Sequence, residues 1–381
     1  MDTSDKITVM LVDDSSVIRG ALTRIIQTDS NIEIVASVAN GQHAITQAKN
    51  KKPDIMLLDI EMPVMDGLTA LPQIIENSPN TKVIMCSGLT AKGADTTMKA
   101  MTLGAIECIV KPSSAQDTGI NSEFHKNLIS LINILGSKHN EYDDEEQDLR
   151  QGSLNKDNTQ EPKSAAPSPP SKQPEKVGSQ EIELRSGIGT FGGRPKILAI
   201  GSSTGGPKAL FSVLKSVGVI NIPIVITQHM PPTFTKILAG HITENTSIPA
   251  HEGSDGMHVE AGNVYVAPGG KHMIFEEKDT GLFIKLDDGP AENFCKPAVD
   301  PMLRSLIHIY GEKVLCVILT GMGSDGLPEA RNLAKKGGRI IAQDKETSVV
   351  WGMPGAVATA GLCNAVLPLD EIGPSIKSIV G

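Results

Sequence analysis

A serine in a glycine-rich loop is the first feature of this 381-residue chain that could do chemistry. The apolar segment KILAI at 196–200 leads into GSSTGGP at 201–207, where the pattern G-x-S-x-G has its serine at Ser203. Glycines at such a strand-to-helix turn permit the tight backbone that exposes a serine oxygen. The pattern favours Ser203 as a nucleophile, although the residues alone do not exclude Ser202. A phosphate-binding P-loop is not indicated, because Pro207 stands where that motif requires lysine.

A histidine and an aspartate follow two later apolar segments. IPIVIT at 222–227 is followed by Gln228 and His229, and VLCVILT at 314–320 is followed by a loop that contains Asp325. If these segments are parallel strands, their carboxyl ends meet at one edge of the sheet. Serine needs an adjacent base at neutral pH, and the base needs a carboxylate that fixes its tautomer. Ser203, His229 and Asp325 are therefore predicted to form a triad for acyl transfer, whatever their order along the chain.

Two alternatives compete with this hypothesis. Gly321, Gly323 and Gly326 form G-x-G-x-x-G after a strand, and Asp344 follows at about the spacing of a dinucleotide-binding fingerprint. Against an oxidoreductase, Asp325 lies inside the loop that would receive the pyrophosphate, where its charge opposes binding. The other alternative is an output module that only binds a partner. Such a module does not need three reactive residue types at separate strand ends.

Charged residues also follow the apolar segments of the N-terminal half. Asp13 and Asp14 end the first segment, Asp59 the third, Ser87 the fourth and Lys111 the fifth. Three converging carboxylates repel each other unless a cation lies among them, and oxygen ligands suit Mg²⁺. The pattern predicts an Mg²⁺ site formed by the three aspartates, with Asp59 as a phosphoryl acceptor. Ser87 would donate a hydrogen bond to the phosphoryl group, and Lys111 would balance its charge.

The order of apolar and amphipathic segments predicts the elements that position these residues. From Ile7 to about Gly136 five apolar segments alternate with amphipathic ones, which is typical of a flavodoxin-like α/β domain with a five-stranded parallel sheet. Residues 137–195 are acidic and then rich in Pro, Ser, Lys and Gln, and they predict a flexible linker. Apolar segments resume at 196. They predict a doubly wound, mostly parallel α/β domain with a β-hairpin insertion between 262 and 288.

Composition excludes several classes of protein. The net charge is −9, and no basic stripe with interleaved aromatic residues is present, which argues against nucleic acid as a partner. No apolar segment approaches the ~20 residues needed to cross a bilayer, and the N-terminus lacks the features of a secretory signal. We therefore expect a cytoplasmic protein without membrane insertion. Five cysteines without CxxC spacing predict buried thiols rather than disulfides or a zinc site.

Residues 5–136 resemble a two-component receiver domain. The resemblance is carried by the aspartate pair at 13–14, LLDIEMPVMDG at 57–67, the serine at 87 and KP at 111–112. It implies that Asp59 is phosphorylated by a histidine kinase and that the backbone of Glu61 joins Asp13, Asp14 and Asp59 in binding the metal. It also implies a bond before Pro112 that is often cis. Cys108 stands where the family usually has an aromatic switch residue.

Residues 196–381 resemble the catalytic domain of the chemotaxis protein-glutamate methylesterase family. The matching motifs are, in order, IGSSTGGPKAL, ITQHMPP, APGGKHM, KPAVDPML, ILTGMGSDG and WGMPGAV. The resemblance implies hydrolysis of glutamate methyl esters, and often deamidation of glutamines, on methyl-accepting chemotaxis receptors. It implies Ser203 as nucleophile, His229 as base and Asp325 as orienting carboxylate. It further implies an oxyanion donor in the backbone N–H of Met322, with Thr204 near the histidine and no cofactor in this domain.

The two-domain layout also predicts how such a serine hydrolase is controlled. We expect the unphosphorylated receiver domain to cover the cleft around Ser203. Phosphorylation at Asp59 adds charge, which would weaken that docking and activate the hydrolase.

Overall fold

The N-terminal half folds as a five-stranded parallel sheet, as predicted. In the computed structural model, which describes residues 6–88, 91–112, 119, 122–137, 182–185 and 193–381, its strands are β1 (Ile7–Val12), β2 (Ile32–Val38), β3 (Ile55–Asp59), β4 (Lys82–Ser87) and β5 (Glu107–Val110). Their order is β2-β1-β3-β4-β5, and every neighbouring pair is parallel. This strand order is that of a flavodoxin-like sheet, so the predicted fold class is confirmed.

Helices cover both faces of this sheet, which explains why the central strands β1 and β3 are buried along almost their whole length. The helices are α1 (Ser16–Ile26), α2 (Gly41–Lys51), α3 (Gly67–Asn77), α4 (Ala91–Thr102) and α5 (Glu123–Gly136). Four of them begin after a residue whose side chain caps the helix: Ser15 for α1, Asn40 for α2, Asp66 for α3 and Ser122 for α5. No helix among the described residues of the whole chain is long and apolar enough to cross a bilayer.

The C-terminal half contains a seven-stranded parallel sheet of order β14-β13-β12-β6-β7-β9-β8. The predicted hairpin, β10 with β11, forms a separate antiparallel ribbon. The strands are β6 (Ile197–Ser202), β7 (Ile224–Gln228), β8 (Ala250–Glu252), β9 (Val264–Val266), β10 (His272–Lys278), β11 (Gly281–Asp287), β12 (Val314–Ile318), β13 (Arg339–Gln343) and β14 (Ala365–Leu367). The helices are α6 (Gly206–Val217), α7 (Phe234–Thr246), α8 (Val299–Tyr310), α9 (Leu327–Lys335), α10 (Met353–Thr359) and α11 (Leu369–Val380). The predicted doubly wound domain with a hairpin insertion is confirmed.

Most of the predicted linker, residues 137–195, lies outside the described residues. A short described part, residues 182–185, runs along the second domain. The Arg185 guanidinium donates to the carbonyls of Gly338 at 3.0 Å and Ala334 at 2.9 Å, and its backbone N–H donates to the Cys363 carbonyl at 2.8 Å. Arg185 therefore fastens this stretch to the catalytic half.

The two domains pack against each other through α4 and β5 of the first and α7 of the second. On α7, His241 Nε2 lies 3.0 Å from Asp95 Oδ1 on α4. Apolar residues on both sides of this contact belong to one continuous buried cluster, with Met98 and Met101 on α4 and Phe234 and Leu238 on α7. Because α7 follows β7, this contact brings the first domain to the edge of the second sheet where His229 lies.

Candidate active site and phosphorylation site

Ser203 follows β6 in a turn whose shape depends on glycine. Gly205 has a φ of +76°, and a Cβ there would lie 2.6 Å from a valine side chain, so the turn needs glycine at this position. Gly321 approaches so closely that its Cβ would lie 2.8 Å from the Cβ of Ser203. Ser202 is buried, and its hydroxyl donates to Gln228 Oε1 at 2.7 Å, whereas Ser203 is half-buried. The geometry therefore favours Ser203 over Ser202 as the nucleophile.

His229 and Asp325 form a hydrogen-bonded pair at the same edge of the sheet. His229 Nε2 lies 2.8 Å from Asp325 Oδ2, and the side chains are 10% and 2% exposed. The strands β12, β6 and β7 are neighbours, so the residues that follow them come together at their carboxyl ends. The backbone N–H of His229 donates to the Ser202 carbonyl at 3.2 Å, which holds the histidine beside the serine turn.

Donors surround the carboxylate of Asp325. Oδ2 accepts from His229 and from the backbone N–H of Val299 at 2.6 Å; Oδ1 accepts from Asn293 Nδ2 at 2.9 Å and the N–H of Asp300 at 3.3 Å. Val299 and Asp300 begin α8, and a helix N-terminus favours negative charge. Burial opposes ionisation, but the hydrogen bonds outweigh it and lower the pKa of Asp325. The carboxylate is thus held ionised and aligned with the histidine.

Both nitrogens of the His229 ring have hydrogen-bond partners. Nδ1 lies 3.4 Å from Cys295 Sγ. Burial would lower the pKa of His229, but the hydrogen bonds to Asp325 and Cys295 outweigh it and raise the pKa to about 9. Within the described part of the chain, none of the ring's hydrogen bonds runs to Ser203. An Nε2–H directed at Asp325 leaves Nδ1 as the nitrogen that can accept a proton.

The two residues expected to assist the nucleophile, Met322 and Thr204, lie next to the serine turn. Met322 is 38% exposed, in the loop where Gly321 touches Ser203. Thr204 is buried, and its side chain lies close enough to the Glu107 carboxylate on β5 to lower the pKa of that group, against the larger effect of burial. Thr204 was expected near the histidine, and its side chain lies beside Glu107. Thr204 therefore lies at the contact between the two domains.

The glycine pattern resembling a dinucleotide fingerprint shapes the loop that presents Asp325. Gly323 and Gly326 have φ values of +79° and +90°, a conformation that favours glycine. The carboxylate of Asp344 accepts a hydrogen bond from the backbone N–H of Thr347 at 2.9 Å. The glycines thus have a structural role that requires no nucleotide.

The predicted acidic site forms at the carboxyl edge of the first sheet. Asp13, Asp14 and Asp59 each place a carboxylate oxygen within 4.8 Å of the others. Lys111 Nζ lies 2.8 Å from Asp13 Oδ2 and 2.6 Å from Asp59 Oδ1. Burial raises the pKa of Asp59, although its hydrogen bond to Lys111 opposes this effect. Three hard carboxylate ligands beside a balancing cation fit Mg²⁺.

Three further residues with sequence-based expectations lie near Lys111: Ser87, Pro112 and Cys108. The Ser87 hydroxyl is buried and donates to the Gly88 carbonyl at 3.0 Å. The bond before Pro112 is not cis, so that expectation is wrong; the cis bond in the described residues precedes Pro297. The trans form of an X–Pro bond is favoured by about 0.5–1 kcal/mol unless the fold demands cis. The expected aromatic position holds Cys108, a half-buried thiol whose pKa burial raises to about 12.

Several residues at the site were missed by the sequence reasoning. All five cysteines are free, as expected, but Cys295 is half-buried and contacts the histidine. Asn293 bridges Asp325 and Asp300, with 2.9 Å to each carboxylate. Both Asn293 and Cys295 lie just before KPAVDPML, and this proximity to a motif was the one signal that could have indicated them.

Comparisons with known proteins agree with this architecture. A family described as "Response regulator receiver domain" matches residues 9–119, and one described as "CheB methylesterase" matches residues 198–376. A protein-glutamate methylesterase/protein-glutamine glutaminase of Paramagnetospirillum magneticum is 48% identical and covers 99% of this chain and 97% of its own length. One from Rhodospirillum centenum is 46% identical, with 99% and 94% covered. The crystal structure of the Thermotoga maritima CheB methylesterase catalytic domain is 41% identical over 48% of this chain and 98% of its own, with a TM-score of 0.46.

The fold and the two matched domains define a response regulator with an enzymatic output domain. The chain belongs to the protein-glutamate methylesterase/protein-glutamine glutaminase family, and it is a hydrolase. The oxidoreductase and the non-enzymatic output module are thereby excluded.

Proposed function

We propose that this hydrolase cleaves glutamate methyl esters on methyl-accepting chemotaxis receptors, and deamidates specific glutamines there, with Ser203 as its nucleophile. The observation that carries the proposal is the His229–Asp325 pair, 2.8 Å apart and held beside the serine turn. The names of the full-length relatives support the choice of substrate. We place the reaction in the cytoplasm, without membrane insertion and without a nucleic-acid partner.

In the proposed reaction, Ser203 Oγ attacks the ester carbonyl carbon while its proton passes to Nδ1 of His229. Asp325 accepts the Nε2–H and stabilises the imidazolium that forms. The N–H of Met322 donates to the oxyanion, and methanol leaves with the proton from His229. Water, deprotonated by the same histidine, then hydrolyses the glutamyl-enzyme to glutamate and free Ser203. With glutamine as substrate, ammonia leaves instead of methanol.

Methanol release from methylated receptors tests the nucleophile. Ser203→Ala should lower turnover by about 10³-fold or more, since removal of a triad nucleophile leaves only the oxyanion donor and binding. Ser202→Ala is a matched control in the adjacent residue, and it should retain activity within about tenfold because it loses only one buried hydrogen bond. If Ser202→Ala were inactive and Ser203→Ala active, the nucleophile would be Ser202.

We propose that a chemotaxis histidine kinase phosphorylates Asp59. Asp13, Asp14 and Asp59 would hold Mg²⁺, which when bound neutralises charge on the incoming phosphoryl group. Lys111 balances the remaining charge, and Ser87 donates a hydrogen bond to a phosphoryl oxygen. Acetyl phosphate should therefore raise methanol release by the wild-type protein, and Asp59→Asn should not respond to it.

We propose that the unphosphorylated receiver domain restrains the hydrolase by covering Ser203. The Glu107 carboxylate lies beside the side chain of Thr204, the residue next to Ser203, and Glu107 and Cys108 line a small interdomain cavity together with His229. Charge added at Asp59 would weaken this docking.

A substitution at Glu107 tests the covering hypothesis without a phosphodonor. Glu107→Lys buries a cation at the contact, so it should weaken the docking and raise the basal rate of methanol release. Glu123→Lys makes the same charge change at an exposed position on α5 and should leave the basal rate unaltered. If the basal rate did not rise in a folded Glu107→Lys protein, the contact would not limit activity.

A further inference from the structure

The thiol of Cys295 lies at the nitrogen of His229 that the proposed reaction uses. Nε2 is engaged by Asp325 at 2.8 Å, and Cys295 Sγ lies 3.4 Å from Nδ1. The charged groups that face the ring are Asp325 from the loop after β12 and, across the interdomain cavity, Glu107 from β5. The ring is therefore held at both nitrogens, by a carboxylate on one side and a sulfur on the other.

A strained turn holds Cys295 in this position. Residues 292–295 are closed by two backbone hydrogen bonds, Cys295 N–H to the Glu292 carbonyl at 2.8 Å and Glu292 N–H to the Cys295 carbonyl at 3.2 Å. The two central residues, Asn293 and Phe294, have φ values of 50° and 62°, which a bulky residue such as phenylalanine rarely adopts. Phe294 is fully exposed, so its own packing does not offset this strain. Such strain persists where the surrounding structure imposes it.

Side-chain contacts supply that constraint. Arg304 binds both carboxylate oxygens of Glu292, at 3.0 Å and 2.8 Å, and fastens one end of the turn. Asn293 Nδ2 donates to Asp325 Oδ1 at 2.9 Å. The same turn thus places one side chain against each member of the His229–Asp325 pair: Asn293 contacts Asp325, and Cys295 contacts His229.

We propose that Cys295 is a positioning residue for His229, whose thiol keeps Nδ1 facing the serine turn until Ser203 engages that nitrogen. The inference rests on the proposed role of His229 as the base. Sulfur suits this task because it is a weak hydrogen-bond donor and acceptor, so a serine hydroxyl can displace it. Without the sulfur the ring is fixed only through Nε2, and Nδ1 spends part of its time out of line with Ser203.

Steady-state kinetics of the full-length protein, activated with acetyl phosphate, test this role. Cys295→Val has nearly the same volume without a hydrogen bond, and it should lower kcat by roughly tenfold with KM within about twofold of wild type. Cys295→Ser restores a partner for Nδ1 and should recover kcat to within about threefold. Cys363→Ala, a buried cysteine remote from the ring, is the control and should match wild type. If Cys295→Val does not fold, Cys295→Ala is measured in its place.

The pH profile distinguishes positioning from a merely structural role. One of the two hydrogen bonds that raise the pKa of His229 is lost in Cys295→Val. The acid limb of kcat/KM should therefore move to lower pH in this variant, and it should return towards the wild-type position in Cys295→Ser.

Two results would overturn the inference, and they can be told apart from failure of the base assignment. Active His229→Ala protein would show that the base itself is wrongly assigned. If His229→Ala is inactive while Cys295→Val or Cys295→Ala has wild-type or higher kcat and an unmoved acid limb, only the role of Cys295 is refuted.

Discussion

Replacing Asp325 by asparagine should remove most of the activity while hardly changing the shape of the site. The Asp325 carboxylate accepts four hydrogen bonds. Oδ2 accepts from the His229 ring and the Val299 N–H, and Oδ1 accepts from Asn293 and the Asp300 N–H. In either orientation, the NH₂ of the new amide faces two groups that donate to the carboxylate in wild type, so each hydrogen bond on that side is lost or has to reverse its direction. If the NH₂ faces the ring, Nε2 must become the acceptor, and the proton moves to Nδ1, which then cannot take the proton of Ser203.

The size of the effect follows from this change of tautomer. A wrong tautomer of this kind lowers kcat by about 10⁴-fold in a serine hydrolase triad, which corresponds to roughly 5 kcal/mol of transition-state stabilisation. Each buried donor left without an acceptor also costs about 1–3 kcal/mol of folding free energy. Asp325→Asn should therefore melt at a lower temperature than wild type, and its loss of activity should exceed its loss of folded protein by orders of magnitude.

The assay is methanol release from methylated receptors after activation with acetyl phosphate, at a temperature well below the melting point of each variant. Asp344→Asn is the matched control, because its carboxylate lies at the end of a neighbouring strand but bonds Thr347. This control should retain the wild-type rate within about twofold, as expected of a substitution away from the site. If folded Asp325→Asn kept kcat within tenfold of wild type, Asp325 would not set the tautomer of His229.

Three further predictions concern the first domain. Burial raises the pKa of Glu107 to about 7 from its ordinary 4.5, so this carboxyl group binds a proton more tightly in the docked form. The bound proton stabilises the docking fully below about pH 4.5, and this stabilisation is lost as the pH rises through about 7. As the pH rises through 7, the basal rate of methanol release by wild type should therefore increase relative to that of Glu107→Gln. Each basal rate is divided by the rate of the same protein after activation with acetyl phosphate. Asp95→Ala removes the contact between the half-exposed Asp95 carboxylate and His241, which contributes about 0–1 kcal/mol, so the basal rate should rise by less than about fivefold. Asp13→Asn should abolish Mg²⁺-dependent labelling by radioactive acetyl phosphate, while the basal methanol release remains.

Most of the fold, and the placement of the proposed catalytic residues, could be predicted because their signals are local. Ser203 and His229 directly follow long apolar strands, and parallel strands bring their carboxyl ends to one edge. The strands β8 and β14 have only three residues each, too few for a periodic pattern. The G-x-S-x-G pattern already favoured Ser203 over Ser202, and the structure adds a physical reason, since the Ser202 hydroxyl is buried against Gln228.

The residues around the catalytic pair could not be predicted, because their placement depends on backbone conformation and distant contacts. Positive φ at Phe294 is unusual for that residue type, and no glycine marked the turn that carries Cys295. Glu107 was recognisable only as part of a strand. Its proximity to Thr204 joins two domains, and a pattern within one segment holds no information about such a contact.

The structure with the two domains in contact also indicates which changes activation of the hydrolase requires. The His229–Asp325 hydrogen bond, 2.8 Å long, is already formed while the first domain lies against the site. The donors that align Asp325 come from its own domain, from Asn293 and the start of α8, so they do not depend on the docking. Activation therefore does not have to assemble the base and its carboxylate. If the receiver domain covers Ser203 as proposed, activation has to move Glu107 away from Thr204 to open Ser203 to a receptor side chain, and to let Ser203 replace Cys295 at Nδ1.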